Sequence, residues 1–325
     1  MRVVVASAIA LLSLPLWANA AVAVTHSELQ AVDSSGAGTN PYVGTMTQVV
    51  LEGVVLNNPA DMLDTSAGAP GGMGGQWQIF VQGLGDDLAG TALWMGQNYG
   101  TLPGKDPILD SYSDSAWLAE MDRLNDLAGH VLQMGDIIRI TGYAMFRGGK
   151  TMINERHSIA PAMDFSIEYL GQTLPALSAT PVSLASLQAD VLCEGYDAAY
   201  PMFDASRDSG AEKYQGVLVR LEGVSLAGGV WGKDGVITVT DGEYTLPVRL
   251  GVSDDFLLPC LLDSENGFDV IGILNQENSN KGGYQLWVMG YDGSASTLGI
   301  VPEPTTIAAF FASALVLVRS RCKRR

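Results

Sequence analysis

The stretch "TQVVLEGVVL", from Thr47 to Leu56, and the stretch "GVLVRLEGVSL", from Gly216 to Leu226, share the tetrapeptide Leu-Glu-Gly-Val. Both stretches are short, rich in Val and Leu, and bounded by turn-forming residues, which is typical of β-strands. The two tetrapeptides lie 170 residues apart. A strand that recurs with its flanking pattern at a fixed distance indicates a tandem repeat.

Further strands are predicted after each copy of this first strand, because short β-branched and aromatic runs alternate with Gly, Asn and Asp. Alignment of their glycines places Ile237 and Val239 one residue out of phase with Ile79 and Val81, which a β-bulge or a wrong alignment would explain. In the first repeat, the hairpin turn Arg147-Gly148-Gly149 separates the last two strands. The predicted strands are Trp77–Gly83, Thr91–Gly96, Asp136–Phe146 and Lys150–Asn154 in the first repeat, and Gly235–Gly242, Tyr244–Gly251 and the hairpin Gly267–Val288 in the second.

One segment of the first repeat has a helical pattern instead. In "DSAWLAEMDRLNDLAGHVL", residues 114–132, apolar side chains recur at steps of three and four residues. This period predicts one amphipathic helix between the third and fourth strands.

Five short strands with a helix after the third are the order of an OB-fold, a small Greek-key barrel. We therefore expect a mainly β protein with two tandem five-stranded OB-like barrels, at residues 47–160 and 214–296. A lead-in at 21–46 and a linker at 161–213, rich in Pro, Ser and Ala, complete the organisation. The glycine-marked strand pattern is similar to that of OB-type modules that accompany extracellular bacterial nucleases, and it supports the fold rather than an activity.

The first 20 residues have the order of a secretory signal peptide. A basic start, Met1-Arg2, precedes an apolar run, and Ala18-Asn19-Ala20 fits the small-x-small cleavage pattern. Signal peptidase and the export machinery are the expected partners of this segment. A buried N-terminal strand or helix is the alternative.

The last 25 residues combine Val301-Pro302-Glu303-Pro304, an apolar run over 305–318 and a basic end. This order resembles the PEP-CTERM sorting signal, which implies recognition by an exosortase-type enzyme and delivery to the cell envelope or the extracellular matrix. The run has 14 uncharged residues, whereas a membrane-spanning helix needs about 20, so a stable anchor and a processed signal both stay open. The basic end consists of Arg319, Arg321, Lys323, Arg324 and Arg325.

The charge between the two terminal signals is strongly negative. The whole chain of 325 residues carries a formal charge of −17, and the part between the signals has 12 basic against 34 acidic residues. Such a surface repels phosphate backbones, so nucleic acid is an unlikely partner. The alternative is a local basic groove formed by Arg139, Arg147, Lys150 and Arg156, with nucleic-acid binding by the barrels.

The sequence contains no recognisable catalytic or transition-metal-binding motif. The histidines are scattered, no nucleophile motif occurs, and we predict neither an enzyme nor a required cofactor. Cys193 and Cys260 either pair or stay as free thiols. Asp204, Ser206 and Asp208 alternate as calcium ligands do, but a solvated surface loop is the alternative, so calcium is permitted rather than indicated.

The alternation along each strand predicts which side chains point out of the first barrel. With Trp77, Ile79 and Val81 inside, Phe80 points outward. We expect an exported, non-catalytic binding or structural protein of the envelope or matrix, with polysaccharide as a candidate ligand. Ordinary core packing is the alternative for each aromatic residue. The candidate ligand-binding residues are Phe80, Trp94, Arg147, Lys150, Trp231 and Trp287.

Overall fold

The structure is a computed structural model that describes residues 21–63, 75–98, 111–155 and 164–299. The predicted signal peptide, the predicted sorting signal and Arg156 lie outside these ranges. Across the described ranges, no helix has both the length and the apolar character needed to cross a bilayer.

The first barrel closes through five strands. In order around the barrel they are β2, β3, β4, β8 and β7, and β7 pairs again with β2. All neighbours are antiparallel except β4 and β8. The elements of this half are β1 (Val22–Ala23), α1 (His26–Leu29), β2 (Gln48–Val55), β3 (Gln76–Gly83), β4 (Gly90–Gly96), α2 (Asp114–Asn125), β5 (Asp126–Leu127), β6 (His130–Val131), β7 (Asp136–Arg147), β8 (Lys150–Asn154) and β9 (Ser166–Thr173).

The second barrel repeats this topology, which confirms the prediction of a mainly β protein with two five-stranded OB-like barrels. The order is β11, β12, β13, β15 and β14, and β14 pairs again with β11. The pair β13–β15 is parallel, as β4–β8 is in the first barrel. The strands are β10 (Thr180–Val182), β11 (Leu218–Gly229), β12 (Val236–Thr240), β13 (Thr245–Leu250), β14 (Phe268–Gln276), β15 (Tyr284–Val288) and β16 (Thr297–Leu298), with 3-10 turns at Pro59–Met62, Ala211–Tyr214 and Asp254–Phe256.

The second strands of the two barrels are in phase, and the irregularity lies in β11, whose register shifts against β14 between Leu221 and Val224 and against β12 between Leu226 and Gly228. Ile79 pairs with Leu93 in the first barrel, and Ile237 pairs with Val248 in the second. All four side chains are buried in their barrel cores. Gly242 lies in the turn after β12, one residue beyond the position equivalent to Gly83, and this offset caused the apparent shift.

The helix of the first repeat is shorter than predicted. α2 begins after the N-cap Ser113, whose hydroxyl accepts a hydrogen bond from the Ala116 N–H, and it ends at Asn125. The predicted continuation to residue 132 is replaced by the small hairpin β5–β6. Ala128 and Gly129, with φ of 57° and 94°, form its left-handed turn, which no helix can contain.

Two further strands lie within the segment 161–213 that was expected to be a linker. β9 pairs antiparallel with β7, with Ile167 opposite Ile140, and β10 pairs parallel with β11, with Val182 opposite Leu221. Each of these strands pairs with an edge of a barrel strand that is otherwise free at that point. They therefore extend the two sheets beyond the barrels.

The two barrels pack against each other through their outward faces. Phe80 is fully buried here, because the second barrel covers the face to which it points. At the edge of the contact, the Gly90 N–H donates to the Gln215 carbonyl at 2.9 Å. The Leu218 N–H donates to Oε1 of Gln82 at 3.0 Å. This inter-barrel interface contains Val54, Leu56, Met62, Phe80, Ala92, Trp94, Met152, Leu218, Ile271, Ile273 and Trp287.

A candidate ligand-binding cleft between the barrels

A polar cleft of about 300 Å³ opens at the margin of the inter-barrel interface. Four of the six residues that were predicted from the sequence to bind a ligand line this cleft. These four are Trp94, Arg147, Lys150 and Trp287.

The cleft is built on the same two strands of each barrel. Trp94 of β4 lies opposite Asn154 of β8, and Arg249 of β13 lies opposite Trp287 of β15. β4 and β13 are the third strands of their barrels, and β8 and β15 are the fifth. The tryptophan is therefore on the third strand in the first barrel and on the fifth strand in the second, with a polar residue opposite it in each case. The Arg249 guanidinium carbon lies 4.7 Å from the centre of the Trp287 ring, a cation–π distance. Arg249 also donates from Nε to Oδ1 of Asp234 at 2.7 Å.

Lys150 joins the barrels at the floor of the cleft. Its ammonium donates to the Glu277 carboxylate at 2.6 Å and to the Gln276 carbonyl at 2.9 Å. The side chain is only 3% exposed, and burial lowers its pKa, against the opposing effect of the Glu277 charge. Lys150 therefore holds the two barrels together and contributes to the cleft chiefly through its charge.

Arg147 is the exposed cation at the rim. It stands at the end of β7, before Gly148 and Gly149, which turn the hairpin with φ of 64° and 93°. A Cβ placed on Gly148 would lie 3.0 Å from the Asn278 nitrogen, so this turn touches the corresponding turn of the second barrel. The two turns form one wall of the cleft.

Several buried polar atoms of the cleft-lining residues have no hydrogen-bond partner within the described ranges. They are Nε2 of Gln78, Oδ1 of Asn154 and Nε1 of Trp287. An unpaired buried polar group costs about 1–3 kcal/mol, so a ligand that supplies donors and acceptors here gains the corresponding energy. Gln76, whose Oε1 accepts from Nε1 of Trp94 at 3.5 Å, adds an amide to the same wall.

The remaining aromatic candidates lie elsewhere. Phe80 is enclosed in the inter-barrel interface and has no exposed surface. Trp231 packs edge-on against Phe256 and Tyr291 in the second barrel and donates to the Leu258 carbonyl. For these two residues the core-packing alternative describes the structure.

The predicted basic groove does not form as a unit. Arg139 of β7 stands opposite Glu52 of β2 on one side and Glu168 of β9 on the other. It forms an ion pair with each of them at 2.7 Å. Arg156 lies outside the described residues, and of the other three only Arg147 and Lys150 line the cleft. Arg249, which was not among the residues predicted from the sequence, is the third basic residue of the cleft.

The acidic loop considered for calcium uses its carboxylate internally. Asp204 accepts from the backbone and hydroxyl groups of both Ser206 and Ser209, at 2.6–3.0 Å. Burial opposes the change, but these hydrogen bonds lower the pKa of Asp204. The loop is a serine-capped turn in which Asp204 has its acceptor sites filled. Cys193 and Cys260 are free thiols, both half-buried.

Part of the cleft was accessible to sequence reasoning. Arg249 sits in "YTLPVRLG", where alternation with the inward Val248 and Leu250 places it on the outer face. Asn154 and Gln78 follow the same rule in their strands. What identifies them as a site is the approach of the second barrel, which no local pattern contains.

No family model and no curated protein matches the chain. Solved structures similar to part of it include a murine DNA-binding protein bound with double-stranded DNA, with a TM-score of 0.29, 9% identity, and coverage of 74% of this chain and 93% of that one. A replication protein A heterotrimer bound to single-stranded DNA has a TM-score of 0.25, 9% identity, and coverage of 65% of this chain and 40% of that one. TM-scores this low support no conclusion about function.

Proposed function

We propose that the protein is a non-catalytic binding protein whose inter-barrel cleft holds a short anionic stretch of polysaccharide. The observation that carries the proposal is the set of unpaired buried polar atoms on Gln78, Asn154 and Trp287 beside the exposed Arg147. Hydroxyl groups both donate and accept, so a sugar can satisfy amide and indole groups together.

The charges of the cleft favour an anionic sugar, such as a uronate. Arg147, Lys150 and Arg249 face it, against Glu277 within the cleft and Asp234 beside it. The rest of the protein is acidic, with a formal charge of −17. A carboxylate ligand is therefore attracted to this place and repelled by most of the remaining surface.

Nucleic acid fits the cleft less well. Single-stranded nucleic acids bind to OB-folds by stacking bases on exposed aromatic rings. Trp94 and Trp287 are 7% and 5% exposed, and Arg249 already lies over the Trp287 ring. The rings thus form a floor, and the accessible groups are amides and guanidinium groups.

The terminal signals complete the proposal. A signal peptide over residues 1–20 and a PEP-CTERM signal over 301–325 would send the protein to the envelope or the extracellular matrix, where acidic polysaccharides occur. Intact mass of the protein from its native host tests this part. A mass that keeps residues 1–20 and a location inside the cell would refute it.

The binding proposal is tested with Arg147→Gln and a matched control, Arg139→Gln. Both residues lie on β7, and both changes remove one positive charge, but Arg139 is paired on another face. Calorimetric titration with oligogalacturonate should show binding to the wild type that falls at least tenfold in Arg147→Gln and stays unchanged in Arg139→Gln. Equal losses in both variants, or tighter binding of single-stranded DNA than of the uronate, would overturn the proposal.

A further inference from the structure

Three carboxylates meet at one end of the first barrel, away from the cleft. Glu120 comes from α2, Glu155 follows β8 directly, and Asp164 precedes β9. One oxygen from each side chain lies within 4.8 Å of the other two. Three separate elements therefore contribute to one cluster of carboxyl groups, which we call the carboxylate cluster.

Glu155 is the buried member of the carboxylate cluster. It is only 3% exposed, and its Oε1 has no hydrogen-bond partner in the described part of the chain. The same holds for Oδ1 of Asp164 and for the hydroxyl of Tyr112. Buried oxygens are normally paired, so three unpaired ones in this neighbourhood indicate a missing cationic or hydrogen-bonding partner.

The protein supplies little compensating charge. Arg123 faces the carboxylate cluster, but it binds the Glu120 carboxylate and the Phe165 carbonyl, the latter at 3.2 Å. Burial raises the pKa of Glu155 to about 8, and the charges of Glu120 and Asp164 add to the effect. One guanidinium therefore faces three carboxyl groups that cannot all ionise readily without a further cation, and the desolvated Glu155 is one of them.

We propose that the carboxylate cluster binds a hard divalent cation, and calcium by preference. Its three donors are all carboxyl oxygens, and the hydroxyl of Tyr112, which interacts with all three groups, adds a fourth oxygen nearby. Such a set suits calcium or magnesium and does not suit zinc or copper, which favour nitrogen and sulfur. Calcium accepts six to eight oxygens in irregular geometry, whereas magnesium keeps several waters and demands a near-ideal octahedron. A cluster assembled from three separate elements fits the less demanding ion.

The bound ion would have a structural consequence. It would tie α2, which covers the core of the first barrel through Trp117, Met121 and Leu124, to the ends of β8 and β9. A ligand that binds the folded state alone stabilises it in proportion to the logarithm of its concentration. Calcium should thus raise the melting temperature of the protein.

The experiment uses the full chain, first treated with a chelator and then titrated with calcium. We expect the melting temperature to rise by several degrees with millimolar calcium. Terbium, a calcium substitute, should luminesce on excitation of Tyr112 and Trp117, whose ring centres lie 5.7 Å apart. Calcium should displace the terbium signal.

Glu155→Gln should weaken terbium and calcium binding at least tenfold and abolish the calcium-dependent rise in melting temperature. Because the pKa of Glu155 is raised to about 8, its carboxyl group is mostly neutral near pH 7 without calcium, and glutamine is a neutral group of the same size. The calcium-free variant should therefore melt no lower than the calcium-free wild type, which shows that it folds. Asp122→Asn, an exposed acid on α2, is the matched control and should bind as the wild type does. An unchanged wild-type melting temperature, undiminished binding by Glu155→Gln, or tighter binding of magnesium than of calcium would overturn the proposal.

Discussion

The ammonium group of Lys150, on the first barrel, lies 2.6 Å from the carboxylate of Glu277, on the second. Lys150 also donates to the Gln276 carbonyl, and Glu277 accepts from the Asn275 amide at 2.8 Å. The two contacts of Lys150 cross the boundary between the repeats, at the floor of the cleft, while the Asn275 amide holds Glu277 from within the second barrel. The ion pair therefore links the shape of the cleft to the association of the two barrels.

Removal of this ammonium group should be costly. Lys150→Met leaves the partly buried Glu277 without its cation, and we expect the free energy of unfolding to fall by about 3 kcal/mol. Urea denaturation measures the change. Lys233→Met, which breaks the exposed pair with Asp254, should cost less than about 1 kcal/mol. The double variant Lys150→Met/Glu277→Gln should recover part of the loss; no difference between the two lysine variants would contradict the interpretation.

The contact between Gly90 and Gly216 leads to a second prediction. A Cβ on Gly90 would lie 2.0 Å from the Gly216 carbonyl oxygen, a clash between two backbones that no rotamer relieves. Gly90→Ala should therefore lower the free energy of unfolding by more than about 2 kcal/mol. Gly85→Ala is the comparison: its φ is 64°, but its Cβ has free space, so it should cost about 1 kcal/mol. Thermal melts that rank the two the other way would refute the close packing of the barrels.

The strands were predictable because their information is local. Trp77, Ile79 and Val81 alternate with polar or outward residues, and the barrel accepts that alternation unchanged. The helix was overextended because Leu127 continues the helical period, while the left-handed turn at Ala128 and Gly129 is a stronger local constraint. The phase of β12 was misjudged because a turn glycine was taken as a strand marker.

The candidate site was predictable only in part, and for a physical reason. Alternation assigns Phe80 and Trp94 to the outer face of the barrel, but exposure depends on what covers that face. The covering residues, such as Ile273, lie some 190 positions later in the chain. Lys150 was expected at the surface, and its partner Glu277 lies 127 positions later in the chain. The carboxylate cluster has no local sequence pattern either, since its three members come from separate elements that only the fold brings together.

A third prediction concerns acid. His26 is buried, with Nδ1 2.9 Å from the Thr91 hydroxyl, and burial lowers its pKa from 6.5 to about 4, although Asp87 opposes the change. The unfolded state binds this proton more readily, so the stabilising contribution is complete above pH 6.5 and is lost as the pH falls toward 4. The loss amounts to at most about 3 kcal/mol. His26→Gln should flatten the stability profile between pH 6.5 and 4 in urea titrations; an unchanged slope would contradict the assignment.

Glu212 should act in the opposite direction. It is fully buried and accepts from the Tyr284 hydroxyl at 2.6 Å, and burial raises its pKa from 4.5 to about 7. Between these values the folded state holds a proton that the unfolded state releases, so this group makes the protein less stable as the pH rises from 4.5 to 7. Glu212→Gln should remove that decline. Compared with the wild type, the variant should therefore gain more stability at pH 8 than at pH 4. Denaturation at the two pH values decides, and an equal effect at both would argue against it.

Arg249 gives a fifth prediction, which depends on the proposed function. Arg249→Lys keeps the charge but loses the planar stacking on Trp287 and the geometry of the pair with Asp234. Uronate affinity should fall about tenfold, and the fluorescence of Trp287 should change. Arg220→Lys, whose guanidinium pairs with Asp269 outside the cleft, should leave both quantities unchanged. A loss of affinity in Arg220→Lys would contradict the location of the site.

The covering of one barrel by the other also has a consequence for biosynthesis. The last strand of the first barrel ends at Asn154 and the last strand of the second at Val288. At about 5–20 residues per second, a ribosome needs on the order of 10 s to make the intervening chain. During that interval the nascent first barrel presents Phe80 and Trp94 to the solvent. The face that carries Phe80 and Trp94 is therefore covered only after the second repeat has been made and has folded.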